Sequence, residues 1–363
     1  MSKILKTLPR DDGFYMPAEF VKQNGVFLLW PQRTDNWRNG AKPAQKVFAQ
    51  IAKEISKFEE VIIGVNDNQY ENARNMVDEK VNIVEISSDD SWSRDCGATK
   101  LIDQNGNIRN VSWRFNAWGG LTDGLYFPWD KDDRVAKKFS NMKNIDYYEA
   151  PIVLEGGSIH VDGEGTLYVT EACLLSEGRN PELTKEELEE ILKQYLNVSK
   201  IIWIPHGIYN DETNEHVDNI LQVVEPGHLL LNWTDDVNDV QYEFSKKAYD
   251  ILTSSTDAKG RTIKVTKLVA PNPLILVSEE ESKGVDAVEG TLPREVGDRM
   301  AASYINHLVI NGAVLVPQFD LPTDQIAYET LKEVYKNREI IFIKDAREII
   351  LGGGNIHCIT QQY

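Results

Sequence analysis

Leu154-Glu-Gly-Gly-Ser-Ile-His-Val161 returns much later in the chain as Leu351-Gly-Gly-Gly-Asn-Ile-His-Cys358. Beyond the paired leucines four positions are identical: Gly156/Gly353, Gly157/Gly354, Ile159/Ile356 and His160/His357. Around this pair of motifs the chain repeats more loosely. Four apolar runs fold about turn signals at Asn105-Gly106, Asp162-Gly163, Pro226-Gly227 and Asn311-Gly312, and each reads as a β-hairpin. A loop, a helix candidate and a short strand follow each hairpin. The turn glycines Gly106, Gly163, Gly227 and Gly312 stand 57, 64 and 85 residues apart, and an insertion within Asp257–Asp298 explains the longest gap. The two ends supply a fifth unit if Gly354–Thr360 pairs with Gly25–Trp30. The expectation is a ring of modules, each turning side chains toward a common axis.

Strands are predicted at Val26–Trp30, Val61–Val65, Val81–Ile86, Ile201–Ile204, Ile263–Leu268 and Ile340–Ile343, all rich in β-branched residues. Helical spacing of apolar residues predicts helices over Lys42–Phe58, Leu183–Leu196, Asp239–Leu252 and Thr323–Tyr335. In the second, Thr184 and Glu187 form a capping-box signature. The alternation predicts an α/β protein.

The chain has 363 residues, 57 acidic against 39 basic, and a formal net charge of −18. Such a charge argues against nucleic acid or an anionic membrane as partner and suits a cationic substrate. No apolar run reaches the ~18 residues of a membrane span. The first ten residues lack the apolar core of a secretory signal. Three cysteines in a chain this long make no disulfide framework. These features predict a cytoplasmic protein.

Cys358, just past a run of three glycines, is the sharpest candidate nucleophile, whereas Cys96 and Cys173 read as small buried hydrophobes. A thiol nucleophile needs an acid/base partner. His216 stands in Asp211-Glu-Thr-Asn-Glu-His-Val-Asp218, and on a strand it would share a face with Asp218. The alternatives are a metal site, for which no second His or Cys stands at ligand spacing, and a solvated acidic loop. Asp95 follows Arg94 in a polar loop feeding a strand and pairs internally with Arg94 or serves a site. Glu155 ends an apolar strand, where a carboxylate is costly unless paired. Trp92, Trp113 and Trp118 are core residues or pocket walls able to stack on a cation.

Taken together, Trp92-Ser-Arg-Asp-Cys-Gly97, Phe115-Asn-Ala-Trp-Gly-Gly120, Leu154-Glu-Gly-Gly157, Asn214-Glu-His-Val-Asp218 and Gly352-Gly-Gly-Asn-Ile-His-Cys-Ile-Thr-Gln-Gln362 resemble the agmatine deiminases of the guanidine-modifying (pentein) superfamily. The resemblance implies a five-bladed α/β propeller with pseudo-fivefold symmetry, formed as a single catalytic domain over residues 1–363. It implies Cys358 as nucleophile and His216 as general acid/base. Asp95, Glu155 and Asp218 hold the guanidinium, Glu212 serves the far amine, and Trp92 lies beside the pocket, with Trp118 as a further wall. It implies hydrolysis of agmatine to N-carbamoylputrescine and ammonia through an amidino-cysteine, with no metal or cofactor, in a homo-oligomer. One departure stands out: Glu215 occupies a position where the family often carries glycine. If that position needs positive φ, a side chain there costs roughly 1–2 kcal/mol. Glu215 is also expected to place a charge beside His216. Competing readings are another guanidine deiminase or an amidinotransferase of the superfamily, and a non-catalytic polyamine-binding protein.

Overall fold

The computed structural model describes residues 2–363. It contains five separate mixed β-sheets built to one plan. Each has a central strand with an antiparallel neighbour on one side and a parallel neighbour on the other. In chain order the central strands are Gly25–Leu29, Ile108–Arg114, Thr166–Thr170, His228–Trp233 and Ala313–Pro317. Their parallel partners are Glu60–Val65, Tyr147–Val153, Lys200–Ile204, Lys264–Val269 and Glu339–Ile343. Parallel pairing needs a crossover, and a helix supplies it each time: Lys42–Ile55, Val135–Met142, Lys185–Leu196, Val240–Ser254 and Pro322–Val334.

The local reasons are legible. Thr184 and Glu187 form the reciprocal capping box that starts Lys185–Leu196, and Asp239 caps Val240–Ser254. Pro322 occupies the first turn of its helix, where a missing N–H costs nothing. All four turn signals close antiparallel hairpins. The six predicted strands all form, with ends moved by a residue or two. The first helix ends at Ile55 rather than Phe58.

One expectation needs correction. The C-terminal segment does pair antiparallel with Gly25–Leu29, but through Gln361–Gln362 against Phe27 and Val26. Gly354–Thr360 is turn, because glycines and the Asn355 side chain fold it back on itself. The added chain of the long gap before Asn311 begins within Asp257–Asp298, as expected, and runs on to Leu308. Lys264–Val269 is a sheet strand, and the added chain follows it, with the short helix Glu279–Lys283 and residues Thr291, Leu292 and Arg294 lining a cavity.

No helix among the described residues is long and apolar enough to cross a membrane.

Candidate active site

Each unit delivers its polar side chains from the same place, the connector just before its antiparallel strand. Asp95 lies in the one-turn helix Ser93–Cys96, before Thr99–Ile102. Glu155 precedes the turn Gly156–Ser158, before His160–Val161. His216 leads into the one-turn helix Val217–Ile220, which carries Asp218, before Leu221–Glu225. Asn306 stands just before Leu308–Ile310, and His357 and Cys358 sit in the turn before Gln361–Gln362. His216 and Asp218 are therefore neighbours through the start of a helix, not through alternation along a strand as expected.

These connectors converge. Cys358 Sγ lies 3.7 Å from Asp218 Oδ2 and 3.4 Å from Asn306 Oδ1. Asn306 Oδ1 also accepts the backbone N–H groups of His357 and Cys358, at 3.0 and 3.3 Å, which fixes the turn that carries Cys358. Asp95 accepts from Trp118 Nε1 and from the Gly157 N–H, both at 2.9 Å. Glu155 Oε1 accepts from Arg179 Nε at 2.8 Å, and Oε2 lies 3.5 Å from His216 Nε2. His216 Nδ1 is 3.9 Å from Asp95 Oδ1.

Gly157 shows how closely the groups face one another. A Cβ there would lie 2.6 Å from His216 Nδ1, 2.9 Å from Asp95 Oδ1 and 3.0 Å from Asp218 Oδ2. Only glycine leaves that space open. Gly354 does the same for the indole of Trp92, which a Cβ would strike at 2.4 Å. Glu155, His216 and Asp218 are fully buried. Among the described residues, Glu155 Oε2, Asp218 Oδ1 and both ring nitrogens of His216 have no hydrogen-bond partner. Buried polar atoms left this way suit a ligand that supplies the missing partners.

The charges are unevenly tuned. Burial pushes the Cys358 thiol well above its ordinary range, reinforced by Asp218 and Asp95. Burial likewise raises Asp95, to about 6, with His216 opposing and Asp218 and Glu155 adding to the rise. His216 is held well above an ordinary imidazole: burial works against its charge, but Asp95, Cys173 and Glu155 outweigh it. For Glu155 burial is outweighed by Arg179 and His216, and for Asp218 by His357, His216 and Arg94, so both sit below the usual carboxylate range. These directions favour a neutral thiol at Cys358 and an imidazolium at His216.

A cavity reaches Cys358 and Asp95 of this group, with Trp92, Trp118 and Glu212 also in its wall; His216, Glu155 and Asp218 lie behind it. Trp92 donates its indole N–H to buried Asp90 at 3.0 Å. Ala117 and Trp118 both take left-handed conformations, φ 55° and 66°, which aims the Trp118 indole at Asp95. Strain of this kind, on the order of 1–3 kcal/mol per residue, collects at functional sites. Glu212 is already engaged by the guanidinium of Arg294, which lines the same cavity. Trp113, by contrast, is core and bonds Thr99.

Several expectations are corrected here. Arg94 pairs with Glu19, not with Asp95. Glu215 does take positive φ, 67°, but its carboxylate turns to His206 Nδ1 and the Gly207 N–H, at 3.0 and 2.9 Å, rather than to His216. Cys96 and Cys173 are buried as expected, yet Cys173 also stands against His216 and Glu155. Sequence reasoning overlooked Asn306, Arg294 and the role of Arg179. Arg179 binds Glu155, the Trp118 carbonyl, the Asn214 side chain and, at 2.7 Å, the Thr213 carbonyl, tying three site loops together.

Donor atoms of Glu155, Cys173 and His216 lie within 4.8 Å of one another, as do those of Glu19, His160 and His357. Each set could hold a soft cation by distance alone. Each also has an arginine bonded to its carboxylate, which opposes a second cation.

A family model described as Porphyromonas-type peptidyl-arginine deiminase matches residues 15–363. The chain belongs to that family. Among its relatives, a Latilactobacillus sakei protein provisionally named agmatine deiminase is 58% identical over 361 residues, 99% of this chain and 98% of its own. The solved agmatine deiminase of Enterococcus faecalis superposes with a TM-score of 0.97 at 46% identity, covering 100% of this chain and 99% of its own. A C. jejuni agmatine deiminase, solved as a cysteine-to-serine variant with substrate bound, gives a TM-score of 0.81 at 26% identity, covering 96% of both chains. The resemblance read from the motifs is borne out over the whole family match.

Proposed function

We propose that this chain is an agmatine deiminase, hydrolysing agmatine to N-carbamoylputrescine and ammonia. The observation that carries the reading is that His216, Asp95 and Asp218 face the space above Gly157, with Cys358 Sγ against Asp218 and Glu155 against His216. A guanidinium is flat and presents N–H groups around its edge, and carboxylates bind such edges in pairs. Three carboxylates around one small space match that cation. Besides Asp95, the wall of the cavity carries Asp35, Asp90 and Glu212 against Arg33 and Arg294, one carboxylate in excess for an ammonium at the far end. The names of the Latilactobacillus and Enterococcus relatives support the same substrate.

In this mechanism Asp95, Glu155 and Asp218 clamp the guanidinium with its carbon facing Cys358. The bound cation offsets the carboxylates that hold the thiol protonated, so binding releases the thiol proton. The thiolate adds to the guanidinium carbon. His216 as imidazolium gives its proton to the departing nitrogen, and ammonia leaves an amidino-cysteine. Neutral His216 then takes a proton from water, whose oxygen adds to the same carbon. Collapse of that adduct expels the thiolate, which takes up the hydroxyl proton to restore the Cys358 thiol, and leaves the urea group of N-carbamoylputrescine. Trp92 and Trp118 wall the cavity, and Glu212 serves the far amine once Arg294 yields it.

The same reading treats the five sheets as five blades of one α/β propeller and the chain as one catalytic domain, supported by the common strand plan of every sheet. It extends to a homo-oligomer acting in the cytoplasm, which sedimentation and cell fractionation test. The direct test is ammonia release from agmatine, arginine and a peptidyl-arginine. Agmatine is expected to be much the best substrate, and Cys358→Ser is expected to release none. Preference for peptidyl-arginine, or turnover by Cys358→Ser, would overturn the reading.

A further inference from the structure

The two Gly-Gly-x-Ile-His motifs bring their histidines to one carboxylate. His357 Nε2 lies 2.7 Å and His160 Nδ1 3.9 Å from Glu19 Oε1, with the two rings edge to face. The other nitrogen of His357, Nδ1, lies 2.8 Å from Asp218 Oδ2. A neutral imidazole donates from one nitrogen only, so it would turn a lone pair toward one of these two carboxylates. With a carboxylate on each side, the ring fits its site as imidazolium. His307 makes the contrast: its nitrogens face the Tyr304 carbonyl and the Tyr335 hydroxyl, a setting that suits the neutral ring.

The chain of contacts runs from outside the site to the reacting atoms. Glu19 lines a small surface pocket with Met16, Arg94 and Lys100. Arg94 binds Glu19 at 3.1 Å and the His357 carbonyl at 3.3 Å. His357 then binds Asp218, and Asp218 Oδ2 faces Cys358 Sγ. Asp218 Oδ1 is left buried with no partner among the described residues. Glu155 divides similarly, one oxygen on Arg179 and the other without a hydrogen bond, 3.5 Å from His216 Nε2. Each of these two clamp carboxylates is thus tethered to a protein cation by one oxygen, with the other left without a hydrogen bond.

We propose that His357 is a positioning residue of the guanidinium clamp: bridging Glu19 and Asp218 as an imidazolium, it keeps Asp218 ionised and turns Oδ1 toward the substrate cation. This rests on the deiminase reading above. The groups facing His357 are Glu19, Asp218, Arg94, His160 and His307, with Cys358 next along the chain. Burial and Arg94 oppose the charge, Glu19 and Asp218 favour it, and the balance lies on the side of the imidazolium.

The test compares His357→Leu, His357→Asn and Glu19→Gln by steady-state ammonia release from agmatine across pH, with thermal unfolding of each variant. Loss of the tether lets a clamp carboxylate move, an error of the size that costs about 10²-fold. His357→Leu is expected to raise KM by about that factor, with a smaller change in kcat. Its acid limb of kcat/KM should move up and steepen from one proton toward two, as Asp218 joins Asp95 in titrating. His357→Asn, which restores a donor toward Asp218, should recover about tenfold of the loss. Glu19→Gln weakens the pull on the imidazolium, so the alkaline limb should move down. If the His357 variants do not fold, Glu19→Gln decides alone. Wild-type KM and pH limbs in the folded variants would overturn the proposal, as would an equal fall in kcat with unchanged limbs. Failure of the deiminase reading looks different: the wild-type protein would release no ammonia from agmatine.

Discussion

Gly157→Ala isolates the geometry on which the site depends. The Gly157 backbone lies outside the left-handed region, so alanine can adopt it without conformational strain. What the added methyl meets is the site itself: His216 Nδ1 at 2.6 Å, Asp95 Oδ1 at 2.9 Å and Asp218 Oδ2 at 3.0 Å. Ordinary contacts begin near 3.4 Å, so all three groups must retreat by several tenths of an ångström. Overpacking on this scale costs about 1–3 kcal/mol of stability. Catalysis should suffer more, because in the proposed mechanism the displaced groups are the acid/base and two clamp carboxylates, and an error approaching 1 Å costs about 10²-fold. The assay is kcat and KM for agmatine beside urea unfolding of the same preparation. The expected result is a folded protein with kcat/KM down at least about 10²-fold. A folded Gly157→Ala enzyme with wild-type kinetics would refute the placement of substrate above this glycine.

Three further outcomes follow from the charges. Asp95 must be ionised to bind a cation and titrates at about 6, so kcat/KM should fall as pH drops through that region, with Asp95→Asn abolishing activity at all pH values. The Cys358 thiol lies above its ordinary 9.0 in the free enzyme, so alkylation by iodoacetamide should be slow at neutral pH and rise only on the alkaline side; a neutral-pH plateau would contradict this. Arg179→Lys keeps the charge but loses the planar fork that reaches Glu155, Trp118 and Thr213, and should cost about 1–3 kcal/mol in urea unfolding together with most of the activity.

Much of this was legible in the chain because local signals and fold agree. The hairpin turns, the Thr184 capping box and the alternation of strands with helices are short-range features, and all appear in place. The convergence of Cys358 with residues far upstream was legible only through the motifs, since no periodicity brings distant connectors together. A His-x-Asp spacing fits both a strand face and a helix start, so the sequence alone does not decide how His216 and Asp218 come together. Glu215 was given the wrong neighbour because φ of 67° turns its side chain away from the adjacent residue, which sequence distance does not reveal. Asn306, Arg179 and Arg294 carried no signal of their own: each acts through partners far away in the chain. The repeated Ile-His pair did carry a signal, and its meaning became visible only when both rings met at Glu19.

The central claim is that the Cys358 sulfur bonds to the substrate carbon during turnover. Rapid acid quench of the enzyme with agmatine, followed by peptide mass spectrometry, should show agmatine less one ammonia attached to the peptide containing Cys358, and nothing attached in Cys358→Ser. Full turnover with no such adduct, or an adduct on Cys96 or Cys173, would contradict the account.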